Sequence, residues 1–177
     1  YLHSLGPAEA ARLTALRRRV PSVVDRVRRE SVKAETLERL SIWGVDMETS
    51  SIAADIVLLK FLRAEDLVVE KAAKRLGETL KFRAEEGIDA LAAAELPEGF
   101  RGHDDISGTD VDGRPVMISR YGSMDNDTVF GDPQAFVRYR LQVMEKMLAQ
   151  LSLERGKAED LCQVHDYSGV SLLFKSE

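Results

Sequence analysis

A single cysteine, Cys162, stands in the whole sequence. That excludes an internal disulfide framework and a thiolate metal cluster, and it suits a reducing compartment. The protein is therefore read as cytoplasmic. No apolar run reaches the ~18 residues that a spanning helix needs, because Asp55, Lys60 and Arg63 interrupt the best candidate. A surplus of positive charge is missing too, with 25 Lys+Arg against 30 Asp+Glu and a net charge of −5. No overall field attracts a polyanion, so no nucleic-acid partner is expected. Twelve glycines and five prolines are too few for a collagenous or low-complexity chain. Three histidines and one cysteine offer no convincing nucleophile, base and orienter set, and no GxSxG, P-loop or GxGxxG occurs in the expected context. The chain is read as a binder and not as an enzyme.

What is present suffices for one domain, or for a small helical lobe joined to part of a larger one: 177 residues, 44% of them hydrophobic. The charge is unevenly spread. Residues 1–33 hold eight Lys/Arg against three acids, about +5, which leaves about −10 on the remainder. Pro7 suits the first position of a helix, and Pro21 is expected to end that helix before a second short one with Val23, Val24 and Val27. Residues 1–40 thus form a basic helical segment, either a solvated hairpin or a contact for anionic lipid head groups. From Ser50 or Ser51 as N-cap, Ile52, Ile56, Leu59 and Leu62 recur at helical spacing, as do Val69, Ala73, Leu76 and Leu80. These stripes are core and carry no chemistry. Residues 41–98 are read as a helical lobe, closed by Pro97, Gly99 and Gly102.

From residue 99 to 177 the pattern changes. Asp112-Gly113 is a turn signal before a strand over 116–121, a helix follows through Phe136, Val143, Met147 and Leu151, and a second strand runs from Leu161 to Tyr167. The order is strand, helix, strand, with a further apolar run from Val170 to Phe174. His103-Asp104-Asp105 has the composition of a metal-ligand cluster, but it lacks a second histidine nearby and is read as a polar loop.

Period-two geometry puts Gln163, His165 and Tyr167 on one face of the second strand, with successive Cα atoms on that face about 7 Å apart. Tyr121 lies on one face of the first strand with Met117 and Ser119, and Arg140 sits on the intervening helix. If the strands are neighbours, two phenols, an imidazole and a guanidinium face one space. A phenolate is a hard oxygen ligand suited to ferric iron, and arginine pairs with carboxylates or phosphates. The same residues also serve as ordinary core aromatics around a hydrogen-bonded histidine.

The run IVLLKFLRAEDLVVEKAAKRLGETLKFRAEEGID, residues 56–89, resembles the N-terminal helical segment of CRAL-TRIO proteins. The segment DVDGRPVMISRYGSMD resembles the first strand region of their lipid-binding domain, and IWGV at residues 42–45 fits the same family. Within it, FVRYRLQVMEKMLAQL (136–151) and QVHDYSGVS (163–171) are most similar to the haem-binding, fungal-type, non-classical branch of phosphatidylinositol transfer proteins. Patellin-type members share the upstream motifs but typically have asparagine where this chain has His165.

The resemblance implies an α/β fold: an all-helical N-terminal lobe followed by the first part of a CRAL-TRIO lipid-binding lobe, truncated at residue 177. It implies haem b as cofactor, with Tyr167 as the axial iron ligand, His165 beside the iron, and Tyr121 and Arg140 as further contacts. Another tyrosine near the haem of one member corresponds to Glu65 here, so that contact is absent or changed. It further implies that the protein, a monomer or weak dimer, binds phosphatidylinositol or a similar phospholipid and exchanges it between membranes. It would act peripherally at the endoplasmic reticulum or other cytosolic faces, in support of phosphoinositide homeostasis. A haem-free lipid carrier and a membrane-trafficking adaptor are the alternatives.

Overall fold

The structure, a computed structural model, describes residues 5–170. Two compact units emerge: residues up to Ala90 with Ser152–Glu159 form one, and Leu91–Leu151 with the residues from Asp160 onward form the other. The segments expected from sequence divided at 40 and 98. The basic segment does not stand apart, because its helix supplies much of the interior of the first unit.

That first unit begins with α1 (Pro7–Glu30), started by Pro7 in the first turn. Leu13, Leu16, Val20, Val23, Val24 and Val27 form its buried stripe, and the stripe packs mainly on α4 (Val69–Glu86) with its buried Ala72, Ala73, Leu76, Leu80 and Ala84. Gly77 is a point of close approach, since a Cβ there would lie 2.7 Å from Arg26 Nη2 and 3.3 Å from Val23 Cγ1. Pro21 was expected to end α1, and it does not: the helix runs on for nine more residues to Glu30. An internal proline costs about 3 kcal/mol through its missing N–H and ring clash. Burying each neighbouring valine returns roughly 1.5–3 kcal/mol, so four of them around the proline outweigh it.

α2 (Val32–Thr36) is capped by Ser31, and α3 (Ile52–Ala64) by Ser51, whose hydroxyl accepts the Ala54 N–H at 3.0 Å. Between them β1 (Ser41–Ile42) and β2 (Val45–Asp46) form a hairpin, with Trp43 and Gly44 both at positive φ in its two-residue turn. The basic stretch is also less free than a solvated hairpin would be. Arg17 pairs with Asp55 and Arg63 with Glu9, while Arg28 donates to the carbonyls of Ala34 and Leu37 and pairs with Glu48. α5 (Ile88–Ala93) leads out of the unit.

The second unit holds a 3-10 turn at Glu98–Phe100, then β3 (Asp104–Thr109), β4 (Pro115–Arg120), a 3-10 turn at Tyr121–Ser123, α6 (Asn126–Gly131), α7 (Pro133–Leu148) and β5 (Cys162–Asp166). The sheet order is β3-β4-β5, with β3 antiparallel to β4 and β5 parallel to it. Two parallel neighbours need a crossover, which α7 supplies. β3 corrects the polar loop expected at 103–105. Its hairpin with β4 closes on Asp110, whose carboxylate accepts the N–H groups of Asp112 and Arg114, each at 2.9 Å. Those bonds, that to Arg114 first, hold its carboxyl below the usual range. Phe100, Met117, Tyr139, Val143 and Met147 make the core, with the Phe100 and Tyr139 rings stacked 4.5 Å apart. Beyond Val170, the apolar run expected through Phe174 lies outside the described residues.

Candidate functional site

The sheet of the second unit carries the site on the side where α7 packs. In the β4–β5 register Ser119 faces His165 and Arg120 faces Asp166. The next residue of each chain is a tyrosine, so Tyr121 and Tyr167 meet just past the strand ends. Gly122 makes that meeting possible, for a Cβ there would fall 1.7 Å from the Ser168 carbonyl oxygen. Only a bare α-carbon allows the two backbones to come so near. Behind Tyr167, Asp166 accepts the Ser168 N–H at 2.8 Å. Hydrogen bonds from the Ser168 hydroxyl and then its N–H hold the Asp166 carboxyl below its ordinary value.

The four side chains singled out in the sequence are brought together by this arrangement. Tyr121 and Tyr167 stack at 4.9 Å with 9° between their planes, and the His165 ring lies 5.7 Å from the first and 6.4 Å from the second. Arg140 comes down from α7, whose N-terminus is set by Asp132 accepting the Ala135 N–H and by Pro133 in the first turn. Its guanidinium carbon lies 5.4 Å from the centre of the Tyr121 ring and 5.7 Å from that of Tyr139, within cation–π range of both. The cluster faces outward: Tyr167 is 62% exposed and His165 is exposed as well. Gln163, expected on the same face, donates to the Met144 sulfur at 3.5 Å.

Sequence reasoning missed Asp104. Its side chain is only 2% exposed, and it accepts from the Ser119 hydroxyl, the Tyr139 phenol and Arg140 Nη1, the last at 2.8 Å. Arg140 is thus no free cation but half of a buried pair. The signal was present two residues on, where the apolar Ile106 shares a face with Asp104 and packs against the core. His103, next to it, bonds through Nδ1 to the Ser123 hydroxyl at 2.8 Å. Among the described residues no group of three or more His, Cys, Asp or Glu could hold a metal ion, and no helix is long and apolar enough to cross a membrane. The helical unit has its own cleft of about 330 Å³ beside Pro21, but two of the carboxylates lining it, Asp55 and Glu48, already pair with arginines.

A helical unit followed by a β-hairpin, a crossover helix and a parallel strand defines the class. Residues 28–78 match the CRAL/TRIO N-terminal domain and residues 104–177 match the CRAL/TRIO domain; the chain is built from this pair. Among its relatives, patellin-4 of Arabidopsis thaliana is 32% identical in a 160-residue match that covers 82% of this chain and 30% of that protein. The phosphatidylinositol transfer protein SFH5 of Cryptococcus neoformans var. neoformans is 35% identical in a 155-residue match that covers 75% of this chain and 52% of that protein. The crystal structure of Sfh5 superposes with a TM-score of 0.77 at 22% identity, covering 94% of this chain and 60% of that one. The fold is therefore that of Sfh5, and the chain spans 30% of the patellin-4 relative and 52% of the SFH5 relative.

Proposed function

We propose that this chain belongs to a carrier that binds phosphatidylinositol or a similar phospholipid and exchanges it between membranes, acting peripherally at cytosolic faces such as the endoplasmic reticulum. Haem b is its proposed cofactor, held at Tyr121, Arg140, His165 and Tyr167, with Tyr167 on the iron. The lipid half of the reading is supported by the relative named for phosphatidylinositol transfer. The haem half is carried by one observation, the convergence of two phenols, an imidazole and a guanidinium on one face.

The donor set suits a ferric porphyrin. A phenol oxygen is a hard ligand for Fe(III), and the exposed Tyr167 can be reached without opening a core. When bound, the haem would supply a redox-capable iron that phenolate ligation stabilises in the ferric state. Since the two tyrosines stack face to face, the exposed Tyr167 offers a ligand its phenol edge and its outer face. A haem-free carrier is favoured by a different observation, that Asp104 already neutralises the guanidinium expected to receive a propionate.

The test is haemin added to the full-length protein, followed by visible absorbance. A tyrosinate-type ferric spectrum that disappears in Tyr167→Phe is expected, because coordination needs the phenol oxygen. An unchanged spectrum in that variant removes Tyr167 as the ligand. Transfer of phosphatidylinositol between vesicles tests the other half, and its absence would overturn the carrier reading.

A further inference from the structure

Asp104 occupies an unusual place in this fold. It faces Ser119 in the β3–β4 register, and Ser119 faces His165 in the β4–β5 register, so the three positions form one row across the sheet. From α7 above, Tyr139 and Arg140 both donate to the Asp104 carboxylate. Arg140 Nη2 also reaches the Ser119 hydroxyl at 3.4 Å. The carboxylate therefore collects two hydroxyl donors and a guanidinium while almost wholly withdrawn from solvent. Held on its edge by Asp104, the guanidinium also contacts the rings of Tyr121 and Tyr139.

A mere tie between helix and sheet needs no ionised group. Apolar packing does that work already, through Val143, Met147 and Met117 in the same core. What a buried carboxylate adds is direction. The planar fork is held at two atoms, Nη1 by the Asp104 carboxylate and Nη2 by the Ser119 hydroxyl that Asp104 also holds, so it keeps only a narrow range of orientations, and removal of the carboxylate frees a long, rotamer-rich side chain. We infer that Asp104 is a positioning residue of the site: through Arg140 it fixes the guanidinium against the Tyr121 ring, and so presets the aromatic face that Tyr121, His165 and Tyr167 offer to a ligand. The inference rests on the proposed function for its ligand, a ferric porphyrin, but its structural half does not depend on any ligand.

Both halves are tested on the full-length protein with Asp104→Asn, which keeps size and shape and removes the charge. Without ligand, the Arg140 guanidinium Nη–H resonance is followed by NMR. It is expected to be ring-shifted and slow to exchange in the native protein, and to move to the free-arginine position in the variant. With haemin as probe, Asp104→Asn is expected to lose about tenfold in affinity, the scale on which residues behind a ligating group act. The double variant with Arg140→Gln should bind no more weakly than Arg140→Gln alone, because Asp104 acts through that residue. If Asp104→Asn does not fold, Asp104→Glu serves instead: it keeps the charge but moves the carboxylate by one methylene, and the same displacement of the Arg140 resonance and loss of haemin affinity are expected. A lowered thermal midpoint with the Arg140 resonance and haemin affinity both unchanged would overturn the inference and leave Asp104 a structural residue. Failure of the native protein to bind haemin at all would overturn the cofactor reading, while the arginine resonance would still decide the part played by Asp104.

Discussion

Each unit buries a charged side chain, and the two do so differently. In the helical unit Arg83 is 8% exposed and donates to the Ser41 carbonyl and to the Asp89 carboxylate. It joins α4 to β1 and to the start of α5, and its bonds end in framework. In the sheet unit the buried charge is Asp104, and its partner Arg140 lies over Tyr121, whose ring stacks on the exposed Tyr167. A buried ion bonded to a backbone carbonyl and to the carboxylate of an adjoining helix behaves as a strut. One whose partner lies beneath an exposed aromatic face transmits its geometry to whatever that face meets.

The comparison breaks most sharply at two glycines given the same substitution. Gly122→Ala drives a Cβ into the Ser168 carbonyl, which is backbone and cannot turn aside. The Tyr121 turn and the Tyr167 segment must separate, at a cost of about 1–3 kcal/mol or more. In spectra of tyrosine-labelled protein, the shifts of Tyr121 and Tyr167 should lose their mutual ring-current displacement while Tyr139 keeps its own. Gly77→Ala meets chiefly the tip of the Arg26 side chain, which can swing away, and the helix gains roughly 0.5–1 kcal/mol in propensity. Urea unfolding should show the first variant weakened and the second nearly neutral. Equal losses would mean that the two approaches are equally rigid.

Much of the fold was legible because it depends on local pattern. The Ser51 cap, the α4 stripe, the turn at Asp110–Arg114 and the alternation of β4 all show in residue type and spacing. Period two was enough to place His165 opposite Ser119, whereas Tyr121 and Tyr167, expected inside the strands, lie just past their ends, Tyr121 in a 3-10 turn. What was not legible depends on distant partners. The two-residue strands around Trp43 are too short to show a period, and β3 is disguised by Asp104 and Asp105, which look like loop residues until a buried partner is known. Pro21 reads as a helix end because the packing of α1 on α4 that overrides it is tertiary. Pro21→Ala sharpens this point. It restores an N–H toward the Arg17 carbonyl and should stabilise the helical unit by about 1–3 kcal/mol, seen as a higher thermal midpoint. A lower one would show that the proline is favourable where it stands.

The smallest expected effect concerns the loop behind Tyr167. The Asp166 carboxyl is held below its ordinary value by the Ser168 hydroxyl first and the Ser168 N–H second. A carboxylate with a depressed folded value contributes its full stabilisation above the unfolded value, about 3.9, and loses it as pH falls through the folded one. Acidification from pH 5 toward 2 should therefore loosen the turn that carries Tyr167, while in the helical unit the bond from Arg83 to the Ser41 carbonyl, an acceptor that does not titrate, is kept. The measurement is the Tyr167 ring resonance against pH, with Asp166→Asn as control. The native resonance should shift only in the acid range, and the variant should show a flat profile there. A Tyr167 signal that follows the same acid transition in both proteins would assign the loosening to unfolding of the whole unit, and the carboxylate would lose its local part in holding the aromatic face.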